Sequence, residues 1–187
     1  MEESPLEHHE QAEHAEHAAL SGDPFIIRVS VTIAILAVIA AAISSLENVE
    51  AGRALAKLSE ANLSQNKATD NWNFYQAKSI KKNMYEIASA TGGPAAEGFK
   101  AQAQHYGEDE KDIFAKGKEL ERETDARLLD SERHERRHHL LTAAVTFLHV
   151  AIAVATISII MRGQRWPWRA SIGLGILGSL LAAYAYL

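Results

Sequence analysis

The sequence predicts an all-α integral membrane protein with three transmembrane helices and a long antiparallel helical hairpin between the first and the second. Three observations lead to this fold class. The apolar residues are concentrated in three blocks that contain no Asp, Glu, Lys or Arg. The segment between the first two blocks is rich in Ala, Glu, Lys, Gln and Leu, which favour helix. That segment also holds a single strong helix breaker near its middle.

The three apolar blocks are long enough to cross a bilayer as helices. They are Val29–Leu46, Leu140–Met161 and Ala170–Leu187, with 18, 22 and 18 residues, and a span needs roughly 20. Extending the first block back to Pro24 gives it full length, because Arg28 can direct its charged group to the membrane interface. The predicted segments are a tail at 1–23, spans at 24–46, 140–161 and 170–187, a hairpin at 47–139 with its turn at 91–94, and a loop at 162–169.

The apolar blocks have two alternative interpretations. They could be core helices of a soluble protein, but no amphipathic helix is left to cover three helices that are apolar on all sides. The first block could also belong to a signal peptide cleaved near Ala40–Ala42. The segment before it carries seven acidic residues and no lysine, with Arg28 as its only cation. A signal peptide begins with positive charge, so an uncleaved anchor is favoured.

Charged and aromatic residues beside the spans predict their orientation. The short loop 162–169 carries three arginines and two tryptophans, and short arginine-rich loops stay in the cytoplasm. We therefore expect a multi-pass membrane protein with a cytoplasmic N-terminus. Arg133, Arg136 and Arg137 flank the second span on the hairpin side, which leaves the opposite orientation open.

The hairpin consists of two arms of equal length. The breaker Thr91–Pro94 separates Glu47–Ala90 from Ala95–His139, which have 44 and 45 residues. As helices, arms of this length measure about 65 Å, so a chain that leaves the membrane after the first span can return to the second.

The apolar pattern of the arms predicts a narrow, interrupted coiled-coil seam. One series of large apolar and aromatic residues recurs every seven residues in the second arm, but the positions four residues after each member are small or polar. In the first arm, residues 62–71 are almost wholly polar. The series is Phe99, Tyr106, Ile113 and Leu120; the later positions are Ala103, Glu110, Gly117 and Thr124. In the first arm one face consists of Ala77, Ile80, Met84 and Ile87. We expect the hairpin to pack against copies of itself or a partner.

The aromatic group Trp72, Phe74 and Tyr75 points to several sides of a helix, at about 100° per residue. Packing within the hairpin is the favoured role of these side chains, and an interface with another chain is the alternative.

The same run carries a family resemblance. Asp70–Ile80, with the letters Asp-Asn-Trp-Asn-Phe-Tyr-Gln-Ala-Lys-Ser-Ile, resembles the signature of domain-of-unknown-function family 4337. The entry to the second span, from Arg133-His134 to His138-His139, and the glycine-rich closing span are also similar to that family. The resemblance covers essentially the whole chain. It implies an integral bacterial membrane protein and no activity, because the family has none assigned to it.

Two motif matches are judged to be fortuitous. His134, Glu135 and His138 match H-E-x-x-H, the zinc metalloprotease motif. However, the adjacent arginines repel a dication, and residues 140–187 offer no acidic third ligand, so a charged helix end is favoured. Gly173, Gly175 and Gly178 match the dinucleotide motif but lie in a membrane span with no acidic residue after them. We therefore expect no catalytic residue, no metal and no cofactor.

Small residues at four-residue spacing predict close helix packing within lipid. They are Ala37, Ala41 and Ser45 in the first span, Ala151 and Ala155 in the second, and Ser171, Gly175, Ser179 and Ala183 in the third.

A polar stripe runs along the second span. Its members are Thr142, Thr146, His149 and Thr156. An ionisable residue at membrane depth suggests an ion or proton path. Hydrogen bonding between helices is the favoured alternative, because no intramembrane Asp, Glu or Lys completes a relay.

The N-terminal tail carries four histidines among its acidic residues, His8, His9, His14 and His17. Weak binding of zinc, copper or nickel is one interpretation. A solvated acidic helix or a disordered tail is the favoured one.

Composition excludes several classes of function. A net charge of −5 argues against a general nucleic-acid binder. The absence of cysteine excludes disulfides, thiolate catalysis and iron–sulfur clusters. The expected function is a non-enzymatic scaffold, accessory subunit or organiser of a membrane assembly, acting in the bilayer as a homo-oligomer or as part of a larger complex. The alternative is an ion-conducting oligomer that uses the His149 stripe.

Overall fold

The computed structural model describes residues 23–161 and 164–187, which form three helices. They are α1 (Pro24–Ala90), α2 (Ala96–Ile160) and α3 (Trp166–Tyr184). No strand occurs among the described residues, so the all-helical prediction is confirmed. In α1 and α2 the apolar block and the adjoining hairpin arm form one continuous helix of 67 and 65 residues. Neither helix contains a proline after its first residue to interrupt it.

The start of α1 and the turn between α1 and α2 follow from local chemistry. The side chain of Asp23 accepts a hydrogen bond from the backbone N–H of Phe25 at 2.8 Å, which caps the start of α1, where Pro24 is tolerated. Residues 91–95 join α1 to α2, and Gly92 and Gly93 have φ of 78° and 101° there. Glycine adopts this left-handed backbone at no steric cost.

The described chain divides into two compact units. The apolar unit contains described residues 23–52, 134–161 and 164–187, and the hairpin unit contains Arg53–Arg133.

Three helices pack closely in the apolar unit. Its core combines large and small side chains, including Leu36 and Ile43 of α1 with Leu141 and Leu148 of α2. Two glycines of α3 lie in close contact with the other helices. A Cβ atom on Gly175 would lie 2.4 Å from a methyl carbon of Leu36, and one on Gly178 would lie 2.9 Å from the carbonyl oxygen of Ala144. The contact at Gly178 is with backbone and cannot be relieved by a rotamer change, whereas the Leu36 methyl group at Gly175 is the end of a flexible side chain that can shift.

Two of the helices are long and apolar enough to cross a membrane. The apolar stretches of α1 and α2 are only 22% and 33% buried within the chain, so most of their surface needs lipid or another chain to cover it. This supports a membrane protein. α3 has 19 residues and starts with Trp-Pro-Trp-Arg. It begins four residues before the predicted block 170–187 and ends at Tyr184, so its crossing of the membrane stays a prediction.

The seam of the hairpin unit consists of small and polar residues. The buried positions of α2 recur every seven residues, and those of α1 lie within the polar stretch 62–71 or beside it. They are Ala103, Glu110, Gly117, Thr124 and Ser131 on α2, and Ala61, Ser64 and Ala68 on α1. The seam is therefore continuous where the sequence pattern indicates interruptions, because small side chains let two helices approach while larger ones cover the sides.

Candidate functional site

A buried carboxylate joins three segments of the apolar unit. The Glu50 side chain of α1 is 1% exposed. Its Oε2 lies 2.6 Å from Nδ1 of His134 on α2, and its Oε1 accepts a hydrogen bond from the Tyr186 hydroxyl at 3.4 Å. A buried carboxylate is costly unless it is paired and hydrogen-bonded. The contacts from His134 and Tyr186 provide that compensation.

A second carboxylate lies one helical turn earlier on α1. Oε1 of Glu47 accepts a hydrogen bond from the Thr142 hydroxyl at 2.6 Å and lies 3.9 Å from Nδ1 of His138. That nitrogen is buried and has no hydrogen-bond partner among the described residues. Residues three apart on α1 thus face histidines four apart on α2. We name Glu47, Glu50, His134, His138 and Tyr186 the Glu–His cluster.

The Glu–His cluster can brace helices. An imidazole N–H that donates to a carboxylate, as the 2.6 Å distance between His134 and Glu50 allows, forms a charge-assisted hydrogen bond. The guanidinium carbon of Arg137 lies 5.2 Å from the centre of the Tyr186 ring, which adds a cation–π contact to the same region. The last residues of the chain are thereby attached to α1 and α2.

The H-E-x-x-H match does not assemble as a zinc motif. His134 and His138 face Glu50 and Glu47, whereas the exposed Glu135 lies 3.7 Å from His139 on another side of α2. No group of three or more His, Asp or Glu side chains in the described part of the chain is arranged to hold a metal ion. Sequence reasoning missed the two glutamates. The signal for them is two acidic residues in the turn after the first apolar block.

The predicted packing stripes are brought into the core only in part. Ala151, Ala155, Ser171 and Gly175 are buried, Ala37, Ala41 and Ser179 are half-buried, and Ser45 and Ala183 are exposed. On α3 the buried row continues from Gly175 to Gly178 and Ala182. The reason is geometric: a strict four-residue step advances about 40° around the helix each time, whereas alternating steps of four and three stay on one side.

The polar stripe of α2 lies on the exposed side of its helix. Thr142, Thr146, His149 and Thr156 are all exposed. The hydroxyls of Thr146 and Thr156 donate to carbonyl oxygens one turn earlier in α2, at 2.8 and 3.0 Å. These two hydroxyls are therefore satisfied within their own helix.

The aromatic side chains of the hairpin differ in how they pack. The indole N–H of Trp72 donates to Glu121 at 3.0 Å, and the Trp72 ring meets Phe114 and Tyr75 edge to face at 5.5 and 5.6 Å. Trp72 and Tyr75 therefore pack within the hairpin, whereas Phe74 is exposed.

The heptad series predicted for α2 lies beside the buried seam positions of that helix. Tyr106 stacks on Tyr85 with 5.6 Å between ring centres. Tyr106, Ile113 and Leu120 are half-buried and Phe99 is exposed.

Ion pairs connect the two arms of the hairpin unit. Lys78 binds Asp109 at 2.7 Å and Lys82 binds Glu110 at 2.8 Å, and Arg127 binds Glu60. The hydrogen bond from Lys82 lowers the pKa of Glu110, with a further contribution from Ser79. The hydrogen bond from Lys78 likewise lowers the pKa of Asp109.

A row of apolar side chains remains uncovered on α1. Ile80, Met84 and Ile87 are 60%, 63% and 68% exposed, and Ala77 is exposed beside them. Their spacing of three, four and three residues places all four on one face. We name them the apolar row.

Some sequence predictions fall outside the described residues. They concern the tail, with His8, His9, His14 and His17, and Arg162 of the predicted loop 162–169.

Comparison with known proteins identifies a family. No curated protein and no solved structure matches the chain. The family profile described as domain of unknown function DUF4337 matches residues 25–187. That region includes all three helices except the first residue of α1, with the Glu–His cluster and the apolar row. The chain belongs to the DUF4337 family.

Proposed function

We propose that the protein is a non-enzymatic membrane scaffold, an organiser or accessory subunit of a membrane assembly, that acts as a homo-oligomer. The observation that supports this proposal most is the apolar row. Full burial of a side chain such as Ile or Met stabilises by about 1.5–3 kcal/mol, so leaving three of them in water is unfavourable. Contact with a second chain covers them.

The position of the apolar row suits contact between helices. Spacing of three and four residues matches the way one helix packs along another. The neighbours Gln76 and Asn83 flank the row on one side and carry no charge, whereas the exposed Lys81 flanks it on the other side. The hairpin unit keeps its own seam and ion pairs, which leaves this face available to the second copy.

The proposal includes three membrane spans in the bacterial inner membrane with a cytoplasmic N-terminus. α3 supports a third span because its buried side is made of small residues, whereas Ile176, Leu177 and Leu180 are exposed. Apolar side chains exposed on one side of a helix suit contact with lipid. The arginine-rich segment before α3 supports the orientation.

The test is the particle mass of the purified protein in nanodiscs. We expect more than one 20.5 kDa chain per particle, and a shift toward one chain when Ile80, Met84 and Ile87 are replaced together by serine. Leu129→Ser is the control, because Leu129 is an exposed leucine of α2 outside the apolar row. A wild-type protein that is strictly monomeric contradicts the proposal.

Ion conduction is a second candidate, favoured by the exposed position of the His149 stripe on α2. In an oligomer this side of α2 can face another copy and line a path between chains. Reconstituted wild-type protein should then carry an ion flux that His149→Ala reduces. Absence of flux, or an unchanged flux in the variant, contradicts this candidate.

A further inference from the structure

Aromatic and arginine side chains join the starts of α1 and α3. The rings of Phe25 and Trp168 meet edge to face with 6.1 Å between their centres. The guanidinium carbon of Arg165 lies 5.9 Å from the centre of the Phe25 ring. The indole N–H of Trp168 donates to the Thr32 hydroxyl at 3.0 Å. These contacts hold the two helix starts together.

Two further arginines lie one helical turn from this contact. Arg28 follows Phe25 by three residues on α1, and Arg169 of α3 follows Arg165, the residue before that helix, by four residues. Arg28, Arg165 and Arg169 are all exposed. We name these three residues the arginine cluster.

The positive charge of the arginine cluster is not neutralised within the described part of the chain. None of the three guanidinium groups forms an ion pair with a described carboxylate. Asp23, the one described acidic residue before Glu47, uses an oxygen to accept the N–H of Phe25. No acidic residue occurs after Glu135.

We propose that the arginine cluster binds the phosphate of an anionic phospholipid. Guanidinium groups bind phosphate oxygens through paired N–H donors. Tryptophan at the end of an apolar helix is typical of the headgroup level of a bilayer. Trp166 and Trp168 therefore place the arginine cluster where lipid phosphates are found. This inference rests on the proposed membrane insertion of α1 and α3.

The charge of the arginine cluster selects the class of lipid. Three positive charges attract a headgroup with net negative charge, such as phosphatidylglycerol, more strongly than the neutral headgroup of phosphatidylcholine. A lipid also supplies acyl chains, which cover the exposed apolar side chains of Ile27 and Val31 next to Arg28. Free phosphate binds the arginines but leaves those side chains uncovered.

The test measures lipid binding to the purified full-length chain in neutral detergent. Phosphatidylglycerol and phosphatidylcholine are added separately, and bound lipid is counted by native mass spectrometry. We expect wild-type protein to bind phosphatidylglycerol at least about tenfold more tightly. The triple variant Arg28→Gln, Arg165→Gln, Arg169→Gln should lose most of this preference.

A charge-matched triple variant is the control. Lys100, Lys111 and Lys116 are exposed lysines of α2 within the hairpin unit, and their replacement by glutamine should leave the preference intact. Equal binding of both lipids by wild-type protein, or equal loss in both triple variants, overturns the inference. Displacement of the lipid by millimolar inorganic phosphate also overturns it, because the site then recognises phosphate alone.

A detergent-free control separates the failure of this inference from the failure of the proposed function. A chain that stays dispersed in water without detergent contradicts the membrane scaffold itself. A chain that needs detergent or lipid but does not distinguish the two lipids contradicts only the arginine cluster as a lipid site.

Discussion

Glu50 and His134 show what one buried pair contributes to the apolar unit. Replacing His134 by alanine leaves the Glu50 carboxylate buried without its imidazole partner, so we expect a loss of about 3–5 kcal/mol in the free energy of unfolding. Glu50→Gln should cost less, because the amide is neutral. Denaturant unfolding in detergent measures both.

Two comparisons check the His134 prediction. His139→Ala should change little, since His139 is exposed, and Glu50→Gln should recover part of the loss when it is combined with His134→Ala. A His134→Ala variant that is as stable as wild type would show that the Glu–His cluster does not stabilise the fold.

Gly178 tests the close approach of α3 and α2. A methyl group there meets the backbone carbonyl oxygen of Ala144 at 2.9 Å, and backbone yields less readily than a side chain. We expect Gly178→Ala to destabilise by about 1–3 kcal/mol, measured as a lower unfolding midpoint. Gly173→Ala is the matched control, because nothing lies within 4 Å of its Cβ position. Equal effects at both glycines would mean that α3 does not pack as described.

The glutamates and histidines of the Glu–His cluster differ in how far the sequence reveals them. His134 and His138 attract attention through a local motif. Glu50 does not, because its partner His134 is 84 residues away, and which glutamate faces which histidine depends on the alignment of two helices. Local spacing carries no information about that alignment.

Helix propensity predicts the helices, but it does not predict which residues form the seam of the hairpin unit. The breaker at 91–94 predicts the end of α1 at Ala90 and the turn before α2, because glycine adopts the left-handed backbone needed there and proline interrupts a helix. The buried row of Ala103, Gly117 and Thr124 is not recognised by a search for large apolar residues. Here closeness of the backbones, rather than apolar bulk, decides which side chains are buried.

The ion pairs between the arms make the stability of the hairpin unit depend on pH. The pKa of Glu110 is lowered from its ordinary value of 4.5 by Lys82, and the pKa of Asp109 from 3.8 by Lys78. A carboxylate whose pKa is lower in the folded chain than in the unfolded chain stabilises the fold at pH values above its unfolded-state pKa. This stabilisation is lost as the pH falls through its folded-state pKa. We expect the hairpin unit to weaken as the pH falls below about 4.

Hydrogen exchange in residues 53–133 at decreasing pH measures this effect, after correction for the intrinsic exchange rate. Glu110→Gln should reduce the stability of the hairpin unit at neutral pH and make that stability depend less on pH. If the variant shows the acid dependence of wild type, the Lys82–Glu110 pair is not a cause of it.

The proposed orientation of the whole molecule in the membrane can be tested because the chain has no cysteine. Single cysteines at Ser4, Gly92 and Gly163 are treated with a thiol reagent that does not cross membranes. In cells with a permeabilised outer membrane, we expect labelling at Gly92 and protection at Ser4 and Gly163, because a cytoplasmic N-terminus, as proposed, would put the hairpin in the periplasm. The reverse pattern would invert the orientation.

In the proposed oligomer, copies of the chain meet through the apolar row. Cysteine cross-linking in native membranes tests this contact most directly, with Met84→Cys on the row and Lys116→Cys on an exposed position of α2. We expect mild oxidation to convert the Met84→Cys variant to a cross-linked dimer and to leave the Lys116→Cys variant as single chains. Failure of Met84→Cys to cross-link, or equal cross-linking at both positions, would contradict the proposed contact.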